Sequence, residues 1–276
     1  MQCSSRSIFC VLCRSFFWNS FMSDLVKVEV VDRIQVITLN RPQARNAINY
    51  ETAQELARVL DQMDASDDVV MGVLTGAGNT FCSGMDLKAF ALNGQRPYVD
   101  GRGFAGLCEK PPRKPMIAAV EGYALAGGFE IALACDLIVA ARSASFGLPE
   151  VKRGIVAGAG GMMRLPSRIP YHIAMEAILT GEMFSAERAH GYGLVNRLVE
   201  TGQALEAALE MARIIASNGP LAVQTAKSIV TQSRDWSQAD MFDLQRPRTA
   251  HIFTSADAKE GATAFAEKRA PVWTGK

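Results

Sequence analysis

The sequence predicts an α/β fold with a strand-rich body and a mostly helical last third. Two short apolar runs, 69–75 and 116–120, are bounded by turn residues, as buried strands are. Apolar residues recur at helical spacing over 56–63 and again over 205–217. Strand–strand–helix units recur through the first half of the chain, and this order of elements indicates the α/β class. The helical last third is expected to cap the body or to join subunits.

A β-hairpin and a helix open the predicted body. Residues 26–31 and 34–39 are alternating or apolar and flank a charged dipeptide, which predicts two antiparallel strands joined by a tight turn. A loop over 40–49 then leads into the helix that carries the 56–63 pattern.

Glycine-rich segments that follow the strands are predicted to be loops. The strand at 69–75 ends in the loop 76–87, and α/β folds bind ligands at such strand ends. Residues 93–115 form a long Gly/Pro-rich connection, which is typical of a functional lid or of disorder. Neither 76–87 nor 158–161 has G-x-G-x-x-G spacing, so a dinucleotide site is excluded. Further helices are predicted after Gly128 and over 162–169, 174–180, 205–217 and 221–230.

The composition excludes several classes of protein. The chain has 276 residues, of which 49% are hydrophobic and 21% are charged, and its net charge is +1. This balance gives no electrostatic footprint for nucleic acid or an acidic membrane, and no run of 18 apolar residues marks a membrane span. Cys82, Cys108 and Cys135 lack metal-ligand spacing, and the Cys10-x-x-Cys13 pair has no second pair and no histidine nearby. The three histidines lie far apart. We therefore expect free thiols, no metal, no nucleic acid and no membrane association.

The first 22 residues differ from the rest of the chain. They are rich in serine and aromatic residues, carry two arginines and contain no acidic residue. We expect residues 1–22 to be an extension outside the fold, with Met22 as the true start and a cytoplasmic location. A mitochondrial transit peptide is the alternative. The predicted division is 1–22, a core at 23–200 and a helical region at 201–276.

Two glutamates and a glycine turn form the candidate site. Gly127 opens a helix, whose free N–H groups and positive dipole end suit a developing oxyanion. The turn that contains Met85 can present a second N–H donor from another strand end. Glu130 lies in the first helical turn and Glu150 follows the next strand, and paired carboxylates beside an oxyanion site indicate acid–base chemistry on a carbonyl compound. A buried glycine turn with two solvated glutamates is the alternative.

Several of these segments, taken in order, resemble the enoyl-CoA hydratase/isomerase (crotonase) superfamily. The resemblance covers the chain from about Leu25 to the C-terminus. It depends on Asn-Arg-Pro at 40–42, Phe-Cys-Ser-Gly-Met-Asp-Leu at 81–87, Lys-Pro-Met-Ile-Ala-Ala-Val-Glu-Gly-Tyr-Ala at 114–124, Gly-Gly-Phe-Glu at 127–130, Phe-Gly-Leu-Pro-Glu at 146–150 and Gly-Ala-Gly-Gly at 158–161.

Membership would imply a crotonase-like spiral of ββα repeats with C-terminal helices that build a homotrimer or homohexamer. It would also imply an acyl-CoA thioester as substrate, with no metal or redox cofactor, coenzyme A being part of the substrate. By position, the N–H groups of Met85 and Gly127 would hold the thioester oxygen. The remaining positions that match substrate-contacting or CoA-contacting positions of the family are Gln43, Ala44, Asn46, Ser83, Gly84, Asp86, Leu87, Phe265 and Lys268.

The two carboxylate positions select a chemistry within the superfamily, because the fold alone does not. Members that add water across an α,β double bond are similar to this chain in keeping both glutamates, whereas isomerases commonly keep only the later one. We assign Glu150 as general acid/base and Glu130 as the water-orienting partner and second base. The resemblance thus implies an enoyl-CoA hydratase, a lyase of fatty-acid or related acyl-CoA catabolism.

Three alternatives remain open at this point. The segments around 86–88, 103–107, 127–130 and the tail look most similar to the carnitinyl-CoA dehydratase branch. Recognition of a trimethylammonium group favours an aromatic lining, for which Phe90, Tyr98 and Phe104 are candidates, although packing is the simpler role for each. An enoyl-CoA isomerase and a non-catalytic acyl-CoA or RNA-binding relative are the other two.

Overall fold

Residues 24–276 are described by a computed structural model, and their strands lie mainly in two layers. The predicted extension at 1–22 lies outside the described residues. The strands are β1 (Val26–Val31), β2 (Ile34–Leu39), β3 (Met71–Gly76), β4 (Tyr98–Val99), β5 (Gly103–Phe104), β6 (Met116–Val120), β7 (Tyr123–Leu125), β8 (Leu137–Ala141), β9 (Ser145–Gly147), β10 (Phe184–Ser185) and β11 (Arg197–Val199). The helices are α1 (Tyr50–Ala65), α2 (Leu87–Asn93), α3 (Gly127–Ala134), α4 (Gly161–Arg164), α5 (Tyr171–Thr180), α6 (Ala186–Gly191), α7 (Ala204–Ala216), α8 (Pro220–Gln232), α9 (Met241–Phe253) and α10 (Ala256–Glu267).

The larger layer is a six-stranded sheet of order β1-β2-β3-β6-β8-β11. The first pair is antiparallel, which confirms the predicted hairpin, and all later neighbours are parallel. Its central strands are apolar throughout because helices cover both faces, as in parallel sheets generally. On one face Leu56 and Leu60 of α1 join the main core, and on the other Ala204 and Ala208 of α7 pack on the strands.

The smaller layer is the sheet β10-β9-β7, extended by two parallel single-residue bridges. One bridge joins Cys82 to Ala124 of β7, and the other joins Ile48 to Met85. Each repeat therefore places one strand in the large sheet and one segment in the small layer before its helix. The run β6–β7–α3 is the clearest example. This arrangement confirms the α/β spiral of ββα repeats.

The connection over 93–115 is folded, a feature that its sequence does not reveal. It contains β4 and β5, an antiparallel pair of two residues each in which Tyr98 lies opposite Phe104. The buried Arg102 fixes this pair, since its guanidinium pairs with Asp61 of α1 and donates to the carbonyl of Gly106 at 2.7 Å. Elements this short produce no detectable periodicity. The alternative of disorder is therefore wrong for this segment.

The C-terminal helices confirm the predicted helical last third and pack loosely on the body. No residue of α9 is buried, and α8 buries only Pro220. The tail folds back on α10, where the carboxylate of the buried Asp257 accepts from the N–H groups of Thr274 and Gly275. Within residues 24–276, no helix combines the length and apolarity that a membrane crossing requires.

Three phenylalanines pack together where α3 meets the small layer. Phe129 has no exposed surface, and its ring centroid lies 5.2 Å from that of Phe146 and 5.8 Å from that of Phe184. We expect Phe129→Ala to lower the free energy of unfolding by about 3–5 kcal/mol, because the cavity adds to the lost burial. Denaturant unfolding at equal protein concentration measures it.

The control for this substitution is Leu92→Ala, since the Leu92 side chain is 89% exposed. We expect that variant to change the free energy of unfolding by less than about 0.5 kcal/mol. Similar losses in the two variants would show that the phenylalanine cluster is not a stability centre.

Candidate active site

Three segments of the site follow neighbouring strands of the small layer. The turn at 83–85 follows Cys82, Gly127 follows β7, and Glu150 follows β9. These neighbours run parallel, so their carboxyl ends lie at the same edge. That edge is where an α/β fold collects functional groups.

Two backbone N–H groups at this edge are free to bind an oxyanion. In the hydrogen-bond network of residues 24–276, neither the N–H of Met85 nor that of Gly127 has an acceptor. Ile48 fixes the first, because its N–H donates to the Gly84 carbonyl at 2.8 Å and its carbonyl accepts from the Asp86 N–H at 2.9 Å. The alternation of a strand then directs the N–H of Met85 to the opposite side.

The two donor segments approach each other closely. Gly84 has φ +100°, and a Cβ there would lie 3.1 Å from the Gly127 nitrogen. On the other side, Ala126 adopts φ 51° and ψ −129°, a conformation that favours glycine. Its strain costs on the order of 1–3 kcal/mol and persists because neighbours fix this backbone. The Ala126 N–H donates to the Gly147 carbonyl at 2.9 Å, and the Ala126 carbonyl accepts from the backbone N–H of Glu130 at 3.1 Å.

Glu130 is buried, with 3% of its surface exposed, and a backbone loop holds its carboxylate. Its Oε1 accepts from the N–H of Ala159 at 2.7 Å and from that of Gly161 at 2.8 Å. Burial raises the pKa of Glu130, while these two N–H groups and the charge of Arg164 oppose that rise. A Cβ at Gly161 would lie 3.1 Å from the Glu130 Cγ, so a larger residue would crowd this carboxylate.

Glu150 has the opposite environment. It is 7% exposed, and among residues 24–276 its buried Oε2 has no hydrogen-bond partner. Burial raises the pKa of Glu150 to about 7, and the charge of Glu130 adds to that rise. A carboxyl oxygen without a protein partner can bond to a ligand. Near neutral pH the pair can therefore hold a single proton, with Glu130 as the better-stabilised carboxylate.

Asn46 and Asp86 turn out to hold the backbone beside the site. Asn46 is 1% exposed, and its amide donates to the carbonyls of Ala77 at 2.9 Å and Thr80 at 2.6 Å. Asp86 pairs with Arg41 at 2.8 Å and caps α2. The direct contact of these two side chains with coenzyme A stays a prediction.

The other predicted contact residues differ in their exposure. Gln43 is exposed and Ala44 is partly buried, both in the loop that Asn46 anchors. On α10, the Phe265 side chain is 88% exposed, and the exposed Lys268 ends the helix with φ 54°. Of the remaining predicted residues, Gly84 is buried, Ser83 is partly buried and Leu87 is 47% exposed.

The sequence did not reveal the groups that hold Glu130 or the contact between Phe104 and Gly127. The glycine-rich stretch at 158–161 was the available signal, but a backbone N–H has no sequence signature of its own. Phe104 is 3% exposed, and a Cβ at Gly127 would lie 2.4 Å from its ring, so this ring packs on the donor segment. Within residues 24–276, no three His, Cys, Asp or Glu side chains are arranged to hold a metal ion.

Replacing Glu150 with glutamine should change how stability depends on pH. The folded-state pKa of Glu150 is about 7 against an ordinary value of 4.5, so between these pH values the folded state retains a proton that the unfolded state releases. The ionisation of Glu150 therefore lowers the free energy of unfolding of the wild type as pH rises from 4.5 to about 7. Glutamine does not ionise, so this contribution is absent in the variant. We expect Glu150→Gln to raise Tm relative to wild type at pH 8, with the difference shrinking toward pH 4.5.

Thermal unfolding of both proteins across this pH range measures the difference, with Glu29→Gln as the control. Glu29 is exposed on β1, and its substitution should not produce a Tm difference that grows with pH. A constant Tm difference for Glu150→Gln would contradict the raised pKa.

The chain is similar to known proteins over most of its length. The family model described as "Enoyl-CoA hydratase/isomerase" matches residues 29–276. A carnitinyl-CoA dehydratase of Proteus mirabilis (strain HI4320) is 41% identical over 266 residues, which cover 92% of this chain and all of the relative. Among solved structures, an enoyl-CoA hydratase from Mycobacterium marinum has a TM-score of 0.90 and 58% identity over 92% of this chain and all of that one.

A carnitinyl-CoA hydratase from Mycobacterium avium covers the same shares of both chains, at a TM-score of 0.73 and 41% identity. The family model spans most of the chain, and each of these relatives is more than 30% identical over nine-tenths of it. The chain belongs to the enoyl-CoA hydratase/isomerase family.

Proposed function

We propose that this enzyme adds water reversibly, in a syn sense, to the double bond of a 2-enoyl-CoA thioester. One observation carries the proposal: two buried carboxyls of different proton affinity lie at the strand edge that also presents two free N–H groups. Coenzyme A enters as part of the substrate, and the proposed chemistry needs no other cofactor. The expected pathway is fatty-acid or related acyl-CoA catabolism in the cytoplasm.

The proposed oxyanion hole consists of the N–H groups of Met85 and Gly127. In the proposed pose both donate to the thioester carbonyl oxygen, which becomes enolate-like when a nucleophile adds to Cβ. Donors that are already fixed need no reorganisation as this charge develops, and the loss of one donor typically costs about 100- to 1000-fold in rate. The strained Ala126 and the close approach at Gly84 are consistent with such preorganisation.

The two carboxyls divide the proton transfers of the hydration. Ionised Glu130 accepts a proton from the attacking water as its oxygen bonds to Cβ, and protonated Glu150 donates its proton to Cα as the enolate collapses. The product gains one OH and one H, and the pair still holds one proton, now on Glu130. Transfer of that proton to Glu150 restores the starting state, and the dehydration runs through the same steps in reverse.

The exposed C-terminal surface supports the proposed homotrimer or homohexamer. The side chains of Phe242, Phe253 and Phe265 are 61%, 82% and 88% exposed, which is unusual for large aromatics on a single chain. In such an assembly Phe265 and Lys268 of a neighbouring subunit could reach the coenzyme A that occupies the Gln43–Ala44 loop.

The second candidate substrate is a carnitinyl-CoA thioester, which the names of two relatives favour. Tyr98 and Phe104 supply an aromatic pair beside Gly127, with ring centroids 5.8 Å apart. The guanidinium carbon of Arg96, however, lies 4.4 Å from the Tyr98 ring centroid. A cation already occupies that face and would repel a trimethylammonium group. This contact favours an acyl group without a positive charge.

Each catalytic carboxyl should be essential for turnover and dispensable for binding. We expect Glu130→Gln and Glu150→Gln each to lower kcat for crotonyl-CoA by about 100-fold or more, because acid–base catalysis commonly contributes that much. Loss of the ultraviolet absorbance of the enoyl thioester measures turnover, and calorimetric titration with a saturated acyl-CoA measures binding. If acyl-CoA binding fell as much as kcat, these residues would have a structural role. A wild type that does not hydrate crotonyl-CoA would contradict the proposed reaction and favour an isomerase.

Charge at Arg96 should control the choice between the two substrates. We expect the kcat/KM of the wild type for crotonyl-CoA to be at least about tenfold above that for crotonobetainyl-CoA. The reason is that placing two like charges side by side in a binding site costs several kcal/mol. Arg96→Gln should narrow this ratio by raising the value for crotonobetainyl-CoA alone. The exposed Arg142 provides the control substitution Arg142→Gln, which should leave the ratio unchanged. A wild type that prefers crotonobetainyl-CoA would contradict this substrate assignment.

A further inference from the structure

We propose that Arg164 is a positioning residue for the reaction, acting on Glu130 through the loop that holds its carboxylate. The inference depends on the proposed hydration, since it assigns a task to a group that does not itself touch the substrate.

Arg164 binds the Glu130 loop with both its backbone and its side chain. Its N–H donates to the Gly160 carbonyl at 2.8 Å, and its Nη1 donates to the Ala159 carbonyl at 3.3 Å. Ala159 is one of the two residues whose N–H donates to the Glu130 Oε1. Ala159 therefore accepts a hydrogen bond from Arg164 at its carbonyl and donates one to Glu130 through its N–H.

Gly160 makes this contact possible. A Cβ at Gly160 would lie 2.1 Å from the Arg164 Nη1, so any side chain there would displace the guanidinium from the loop. Gly160 also has φ +106°, a conformation that glycine adopts at little cost. The glycines at 160 and 161 thus have separate tasks, one admitting Arg164 and the other admitting Glu130.

The guanidinium also connects this loop to the oxyanion side of the site. Its Nη2 donates to the Cys108 carbonyl at 2.5 Å. The Cys108 N–H donates in turn to the Phe104 carbonyl at 3.1 Å, and the Phe104 ring packs on Gly127. One planar cation therefore sets the distance between the Glu130 loop and the segment that supports an oxyanion donor, a task suited to the fixed geometry of arginine.

The charge of Arg164 also stabilises the ionised form of Glu130, as the N–H groups of the loop do. The groups that face Glu130 are Arg164 from α4, Glu150 after β9, Tyr98 of β4 and the Cys108 thiol. Arg164 is the positive group of this set. Burial raises the pKa of Glu130 and Arg164 lowers it, so without the arginine Glu130 would stay protonated to higher pH. A protonated Glu130 cannot accept a proton from water.

The test compares the pH dependence of crotonyl-CoA hydration by the wild type, Arg164→Gln and Arg164→Lys. We expect Arg164→Gln to lower kcat by about tenfold or more and to move the acidic limb of the profile to higher pH. Arg164→Lys keeps the charge but not the planar fork, so it should retain the wild-type limb at a reduced kcat. Circular dichroism and Tm confirm that each variant is folded.

Arg168→Gln is the matched control. It removes the same charge four residues further along, and Arg168 is not among the groups that shift the pKa of Glu130. Its acidic limb should coincide with that of the wild type. An unmoved limb in Arg164→Gln, or an equal fall in kcat at every pH in both Arg164 variants, would overturn the inference. An inactive wild type would instead overturn the proposed function.

Discussion

The parallel alignment of the Cys82 segment, β7 and β9 within the small layer is the constraint on which the rest of the site depends. Cys82 lies beside Ala124, and Ala124 lies opposite Phe146 of β9. Because these segments are parallel, the turns that follow them all emerge at one edge. A hairpin connection would place successive turns at opposite edges, and the N–H of Met85, the N–H of Gly127 and Glu150 would never meet. The large sheet has the same order, since its strands β3, β6 and β8 are parallel neighbours.

The chemistry of the site arises from the different environments of two identical side chains, Glu130 and Glu150. Both glutamates are buried, which raises the pKa of each. Two backbone N–H groups and the charge of Arg164 stabilise the carboxylate of Glu130, whereas the Oε2 of Glu150 is left without a partner among residues 24–276. Divergent environments of this kind separate an acid from a base without any change of residue type. The glycines at 160 and 161 are the sequence features that make the difference possible.

The long elements and the proximity of the two glutamates could be predicted from sequence, whereas the supports of the site could not. The run at 116–120 is apolar on both faces and coincides with β6, and the pattern at 56–63 lies within α1. The pair β4–β5 and the strands β7, β9 and β10 have two or three residues each, so no period can develop in them. The contact of Asn46 with coenzyme A stays a prediction, whereas its bonds to carbonyls more than 30 residues away are a structural role that the sequence does not reveal. Contacts of that range are set by the tertiary fold.

The division of the site among several repeats has an evolutionary consequence. Met85 lies in the repeat that begins with β3, Gly127 and Glu130 lie in the repeat that begins with β6, and Glu150 lies in the repeat that begins with β8. The N–H groups that would bind a carbonyl thus belong to the β3 and β6 repeats, and the carboxyl that would donate a proton belongs to the β8 repeat. The turns that present the two N–H groups and the turn after β9 can therefore mutate independently of one another. A site of this kind can change its acid–base groups while keeping the N–H groups that would bind a carbonyl.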